Sequence, residues 1–305
     1  MEPKDKTKKV IFIGGSSYSG STMLDMMVAN SSDGFSVGEV HALFRPFRPH
    51  HFNPECGCGD PECNFWSQIR SKGENKLYST IFSIFPEINF IVDSSKDPFW
   101  IYKQNKILNM QGYKVYNLLI WKEPAAFAYS KSKRGKNNWS RAWKRYYRLY
   151  FTLFNDFMTV PYEELSKTPD DILFKICRYV GIDFNHDKKE FWNKQHHILF
   201  GNRSAKIHLK KDNIKESEYN TENLQKIYHD KSYINKLSSQ IFKNIESNKK
   251  LQKMLNVLKN ENINNKINEI SYSKLTITCV FIYWKIKHII KKFISLYSYK
   301  KFIKK

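Results

Sequence analysis

Short apolar runs alternate along this chain with segments whose apolar residues recur every three or four positions. The first run, Val10-Ile-Phe-Ile13, leads into Gly14-Gly15 and reads as a buried strand. Phe35-Ser-Val-Gly38 is a weaker candidate. Asn89-Phe-Ile-Val-Asp93 and Tyr113-Lys-Val-Tyr-Asn-Leu-Leu-Ile-Trp121 are stronger, and Phe157-Met-Thr-Val-Pro161 makes a fifth. Between them Trp100 to Met110 is the clearest helical segment. After Tyr162 helices dominate, and Thr168 to Gly181 offers a capping threonine, a first-turn proline and a closing glycine. Strands alternating with helices predict an α/β chain on a parallel sheet, with ligands bound at the strand C-terminal ends. From about Leu209 turn signals fade and Lys, Asn, Ile and Ser take over. The chain thus divides into an α/β domain at 1–208 and a basic, mainly helical extension at 209–305.

The segment after the first run sharpens this picture. Gly14-Gly-Ser-Ser-Tyr-Ser-Gly-Ser-Thr22 joins a strand to a helix through a loop of small residues. Glycine lets such a loop turn back and expose its amides, and the following helix N-terminus adds partial positive charge, so the pair forms an anion cradle. Loops that hold nucleoside triphosphates end in Gly-Lys-Ser/Thr, whose lysine grips the outer phosphates. Here the end is Gly20-Ser21-Thr22, without that lysine. The fold expected is therefore a P-loop-like parallel sheet flanked by helices, and the ligand a nucleotide with a smaller, less charged 5′ group.

Charge and cysteine content narrow the partners. The formal net charge is +22, and positions 206–305 carry 22 Lys/Arg against 8 Asp/Glu. Such a surface attracts polyanions, anionic lipid or acidic substrates, although a lysine-rich composition accounts for it equally well. Met1 to Lys9 lead straight into the first strand with no export signal. No run reaches the roughly 18–20 apolar residues of a membrane span, and Leu275 to Trp284 is too short. Five cysteines, an odd number, argue for a reducing compartment. A cytoplasmic protein is expected, peripheral at the inner membrane face if its lysine-rich tail lies on anionic lipid.

A second site follows the strand ending at Trp121, in Lys122-Glu-Pro-Ala-Ala-Phe-Ala-Tyr-Ser130. Pro124 suits a first helical turn, which leaves Lys122 at the strand end and Ser130 about two turns in. A cation and a hydroxyl at this spacing can grip a second phosphate. Together the two sites resemble the sulfotransferase family that uses 3′-phosphoadenosine 5′-phosphosulfate. Ser36-Val-Gly-Glu39, Asp93-Ser-Ser-Lys96, Val160-Pro-Tyr-Glu-Glu-Leu165 and Ile198-Leu-Phe-Gly-Asn-Arg203 are similar to its bacterial branch, so the resemblance runs over about residues 8–205.

The resemblance implies a role for each site. Ser17, Tyr18, Ser19, Gly20, Ser21 and Thr22 would bind the 5′-phosphosulfate, while Lys122, Ser130 and Arg203 would bind the 3′-phosphate. Lys122 stands where the family usually has arginine, which keeps the charge but loses the bidentate fork. Tyr18 stands where a cation is common, so Lys96 becomes the candidate for the bridging oxygen. Glu39 is the expected general base, whose carboxyl would need raising by burial to act well near neutral pH, and His41 is the rival. The acceptor is a hydroxyl, expected on a carbohydrate or glycolipid, and the released product is adenosine 3′,5′-bisphosphate. Its phosphate is a weakly basic leaving group, so no catalytic metal is expected, and no specific nucleic acid partner either.

Other readings are a kinase or NTPase, a non-catalytic polyanion binder, and a sulfotransferase that binds nucleotide without turnover. For the kinase, Asp93 is the only candidate magnesium ligand. Cys56-Gly-Cys58-Gly-Asp-Pro-Glu-Cys63 follows His50-His51 and could hold zinc, but it lacks the paired C-x2-C knuckles of strong zinc motifs. It reads as a Gly-rich loop just past Glu39, placed to wall the acceptor pocket. Cys177 and Cys279 read as core packing.

Overall fold

The computed structural model describes residues 7–202, 233–260 and 270–303. Arg203 and the 208/209 boundary lie outside the described residues. Five strands, β1 (Lys9–Gly15), β2 (Gly34–Gly38), β3 (Phe90–Lys96), β4 (Lys114–Trp121) and β5 (Met158–Pro161), form one sheet in the order β2-β3-β1-β4-β5. Every neighbouring pair is parallel. The sheet is flanked by helices, as the alternating pattern predicts.

Burial on both faces explains the continuous apolar run of β1. Val10 and Phe12 point into one core cluster, and Ile11 and Ile13 into another on the opposite face. The helix Ser21–Val28 after β1 packs Leu24 and Met27 into the second cluster, alongside Ile172 and Ile176 of the helix Pro169–Val180. The helices after β3 and β4, Pro98–Met110 and Pro124–Ser132, place Trp100 and Phe127 in the first cluster instead. Because the chain leaves β1 toward one face and its neighbours toward the other, a crevice opens at the C-terminal end of β1. Ligands settle in open α/β sheets at such a switch point.

Several local details differ from the sequence pattern. The helix expected from Trp100 begins at Pro98, because the Asp97 carboxylate caps it by accepting from the Phe99 and Trp100 amides at 3.0 Å. Thr168 does not cap Pro169–Val180. Its hydroxyl donates to the Glu164 carbonyl of the preceding turn instead, whereas Gly181 closes the helix at φ 70° as expected. Cys177 is core, but Cys279 is exposed on the C-terminal helix.

That helix, Lys274–Ile303, and the helix Lys249–Lys259 make up most of the described C-terminal part. Leu251, Met254 and Leu258 of the latter enter the same cluster as Phe12. Lys274–Ile303 docks through Trp284, whose ring packs on Phe99 and whose Nε1 donates to Asp97 at 2.9 Å. Its outer face leaves Ile286, Ile289, Ile290, Phe293 and Ile294 exposed. Among the described residues no helix is long and apolar enough to cross a membrane.

Candidate active site

The cradle forms where β1 runs out. Ser19 N–H bonds the Ser16 carbonyl at 3.2 Å, and Gly20 at φ 91° turns the chain into the helix Ser21–Val28. A side chain at Gly20 would strike the Tyr162 ring, and one at Gly15 would strike the Ser19 hydroxyl. Both glycines therefore keep the loop tight and its amides accessible. Leu24 N–H is the first to bond back, to Gly20 O. The amides of Ser21, Thr22 and Met23 have no carbonyl one turn earlier, and no side chain caps this terminus. Ser19 is fully buried and its hydroxyl has no hydrogen-bond partner among the described residues. A buried hydroxyl without a partner is costly, and an anionic oxygen in the cradle would satisfy it. The residues present thus fit a phosphate or phosphosulfate.

The helix Trp139–Leu153 fixes the loop from beneath. Gly15 N–H donates to the Tyr146 hydroxyl at 2.6 Å, Tyr146 donates to the Lys96 carbonyl at 2.7 Å, and Tyr147 meets the Ser16 hydroxyl at 3.3 Å. No sequence motif marks these tyrosines. Their signal is the spacing of Trp143, Tyr147, Tyr150 and Phe151 on one helical face, all buried. From above, Asn202 N–H donates to the Thr22 hydroxyl at 3.0 Å, so the Ile198–Asn202 stretch closes over the cradle.

The β1 to β4 register places Gly15 beside Ile120, which sets Lys122 at the same sheet edge as the cradle. Its ammonium lies 3.9 Å from the centre of the Tyr162 ring, a cation–π contact. Ser130 is half-buried in the second turn of Pro124–Ser132, as its spacing predicts. Arg134, one turn on, donates to the Ser130 carbonyl at 2.6 Å and stacks 3.8 Å from the centre of the Tyr18 ring. Tyr18 itself has φ 69°. Arg134 thus places a guanidinium against the loop at Tyr18.

On the other side of β1, Glu39 follows β2 and Lys96 ends β3 at φ 62°. Their side chains form an ion pair at 2.5 Å, both largely shielded from water. Burial works to raise the Glu39 carboxyl, but the Lys96 ammonium outweighs it, with help from His41 and Arg48, and holds the carboxyl below its ordinary range. The raise that a base working near neutral pH would need is therefore absent here, because the Lys96 ammonium favours the carboxylate. His41 is buried near the rings of Phe47 and Trp100, its Nδ1 has no partner among the described residues, and burial lowers its pKa. Asp93 is not an accessible metal ligand. It is fully buried, with Tyr78 and Trp100 donating to one oxygen and the Ser95 amide to the other.

A cleft of about 440 Å³ is lined by His41, Asp97 and Tyr146; Glu39 and Lys96 do not line it themselves, but Tyr146 bonds the Lys96 carbonyl. Arg141 and Arg145 line it from one helix, and Lys287 and Lys291 from the C-terminal helix. The Cys56–Cys63 loop does not line this cleft. The loop packs instead against the stretch from His196 to Leu199.

No protein-family model matches the chain, and no curated protein matches it. Among solved structures it is similar to the sulfotransferase domain from the curacin biosynthetic pathway, at 16% identity over 70% of this chain and 89% of that one, with a TM-score of 0.49. It is similar also to the sulfotransferase domain of the Synechococcus PCC 7002 olefin synthase, at 19% identity over 62% and 78%, TM-score 0.44. A mouse sulfotransferase complexed with PAP matches at 11% identity over 86% and 88%, TM-score 0.38.

Proposed function

We propose that this chain is a sulfotransferase that moves a sulfuryl group from 3′-phosphoadenosine 5′-phosphosulfate to an acceptor hydroxyl. The observation that carries the reading is the uncapped helix N-terminus at Gly20 with a buried, unpartnered Ser19 hydroxyl beside it and no triphosphate-binding lysine in the loop. The nucleotide supplies an activated sulfuryl group on a weakly basic phosphate. The chain supplies position and charge: the amides of Ser21 to Met23, with the Ser19 and Thr22 hydroxyls, hold the 5′ group. Lys122 and Ser130 hold the 3′-phosphate, with Arg203.

Glu39 accepts the proton of the attacking hydroxyl. Its ion pair with Lys96 makes the two roles interdependent. A Lys96 drawn to the nucleotide's bridging oxygen leaves Glu39 less stabilised as an anion, and hence a stronger base. The acceptor reaches them from the cleft. Its rim of Arg141, Arg145, Lys287 and Lys291 suits an anionic or lipid-linked sugar, with the exposed apolar face of Lys274–Ile303 on an anionic, cytoplasmic membrane surface.

The test is calorimetric binding of adenosine 3′,5′-bisphosphate, adenosine 5′-monophosphate and ATP with magnesium. A preference of about 30-fold for the bisphosphate, about 2 kcal/mol, supports the reading, and Glu39→Gln then lowers turnover about 100-fold without weakening that binding. Equal binding of the three, or preference for ATP, removes it in favour of a kinase or a plain anion binder.

A further inference from the structure

The cysteine loop and a histidine far from it in sequence converge on one point. Ligand atoms of Cys56, Cys58, Cys63 and His197 all lie within 4.8 Å of one another. His197 Nδ1 is 3.3 Å from the Cys56 sulfur and 3.7 Å from that of Cys63. The cysteines are free thiols. From these atoms we propose a structural zinc site with a Cys3His ligand set.

Local structure explains why the four side chains meet. Gly59 at φ 83° and the Asp60 carboxylate, which accepts from Glu62 N–H at 2.9 Å, fold the loop back so that Cys63 returns toward Cys56. Gly57 N–H bonds the Ile198 carbonyl at 2.9 Å, and Cys56 bridges Leu199 in antiparallel fashion. A side chain at Gly57 would collide with Ile198, so only glycine permits this approach. The imidazole of His197 stacks on Phe35 with 7° between the planes and packs on Phe65, while Trp66 Nε1 donates to the His197 carbonyl at 2.7 Å. The ring is therefore oriented by packing, with Nδ1 toward the sulfurs.

The two His197–sulfur distances, 3.3 and 3.7 Å, lie close to those of tetrahedral coordination, and the whole set within 4.8 Å needs only a small contraction to reach it. Zn–S of about 2.3 Å and Zn–N of about 2.0–2.1 Å place sulfurs about 3.8 Å apart and a sulfur about 3.6 Å from a nitrogen. Three sulfurs and one imidazole complete a closed structural set, and Zn²⁺ entering it displaces the three thiol protons. The sequence puts His50-His51 before the cysteines, and the fold supplies His197 as the fourth ligand instead.

The site would tie the loop to the stretch that reaches the cradle. Leu199 O accepts from Glu39 N–H at 2.9 Å, Leu199 N–H donates to the Val37 carbonyl at 3.2 Å, and Asn202 holds Thr22. Zinc at His197 thus anchors one end of a segment whose other end positions both Glu39 and the helix N-terminus.

The experiment uses the full chain without a polyhistidine tag, purified under reducing conditions, and needs neither nucleotide nor acceptor, so its outcome is separate from the sulfotransferase reading. Elemental analysis is expected to give about one zinc per chain. Chelation with reduced thiols should lower Tm by about 5 °C or more, and zinc should restore it. Cobalt added to the stripped protein should show the visible absorption of a tetrahedral centre and a thiolate-to-cobalt charge-transfer band, both lost in Cys63→Ser and His197→Asn. Folded, fully reduced wild-type protein that takes up no zinc on titration overturns the proposal, as does a cobalt complex without thiolate absorption or a disulfide among the three cysteines that persists in reductant.

Discussion

Asp25 lies on the buried side of the cradle helix, fully excluded from water. Ser94 donates to one of its oxygens at 2.6 Å, and the other has no hydrogen-bond partner among the described residues. Burial raises its pKa from 3.8 to about 7, with a smaller push from the neighbouring Asp93 carboxylate and partial relief from the serines. Since the folded pKa lies above the unfolded one, folded protein keeps the proton between about pH 4 and pH 7 while the unfolded chain releases it. Stability from this group is thus intact at acid pH and is lost as pH rises to about 7. Each pH unit is worth about 1.4 kcal/mol, so the full loss is about 4 kcal/mol. Asp25→Asn removes the titration while nearly keeping the shape. Any cost of the new amide is the same at every pH. The informative quantity is therefore the pH dependence of the difference between wild type and variant, from denaturant unfolding near pH 4 and near pH 8. Wild type should lose about 4 kcal/mol relative to the Asp25→Asn variant over that interval. A difference that stays constant with pH refutes the reasoning, because Asp25 would then titrate alike in the folded and unfolded chains.

Lys122→Ala and Ser130→Ala should each weaken adenosine 3′,5′-bisphosphate binding by about 1–3 kcal/mol in calorimetry and leave adenosine 5′-monophosphate binding nearly unchanged, since only the 3′-phosphate loses a partner. Gly14→Ala puts a methyl 2.3 Å from the Tyr150 ring and should cost about 1–3 kcal/mol, read as a lowered Tm. Removing 274–303 should abolish sedimentation with anionic phosphatidylserine vesicles, whereas the full chain should bind them in a salt-sensitive way; vesicle binding that survives the truncation assigns membrane contact elsewhere.

Features set by neighbouring residues are legible in the sequence, and features set by distant packing are not. The inner strands β1, β3 and β4 stand out because a strand covered on both faces must be largely apolar, as in Val10 to Ile13, whereas the edge strand β2 gives only a weak signal. The cradle stands out because a strand that turns sharply into a helix requires glycine at Gly20, where φ is positive. Glu39 falls at the end of β2 as its motif predicts, yet its charge state is the reverse of what burial alone implies. The lysine that controls it lies 57 residues away, and only the β2–β3 pairing, whose register shifts between Ser36 and Gly38, brings the two together. Asp25 shows the same limit in reverse. It occupies an ordinary helical position between Leu24 and Met26, and nothing nearby in sequence reveals that the helix is buried all round. His197 is distant from the cysteine loop for the same reason. Residue types at strand ends follow from local turn chemistry, whereas proton affinity and metal geometry depend on every element packed around the group. A motif can therefore nominate Glu39, but only the position of Lys96 decides whether that carboxylate is free to take a proton.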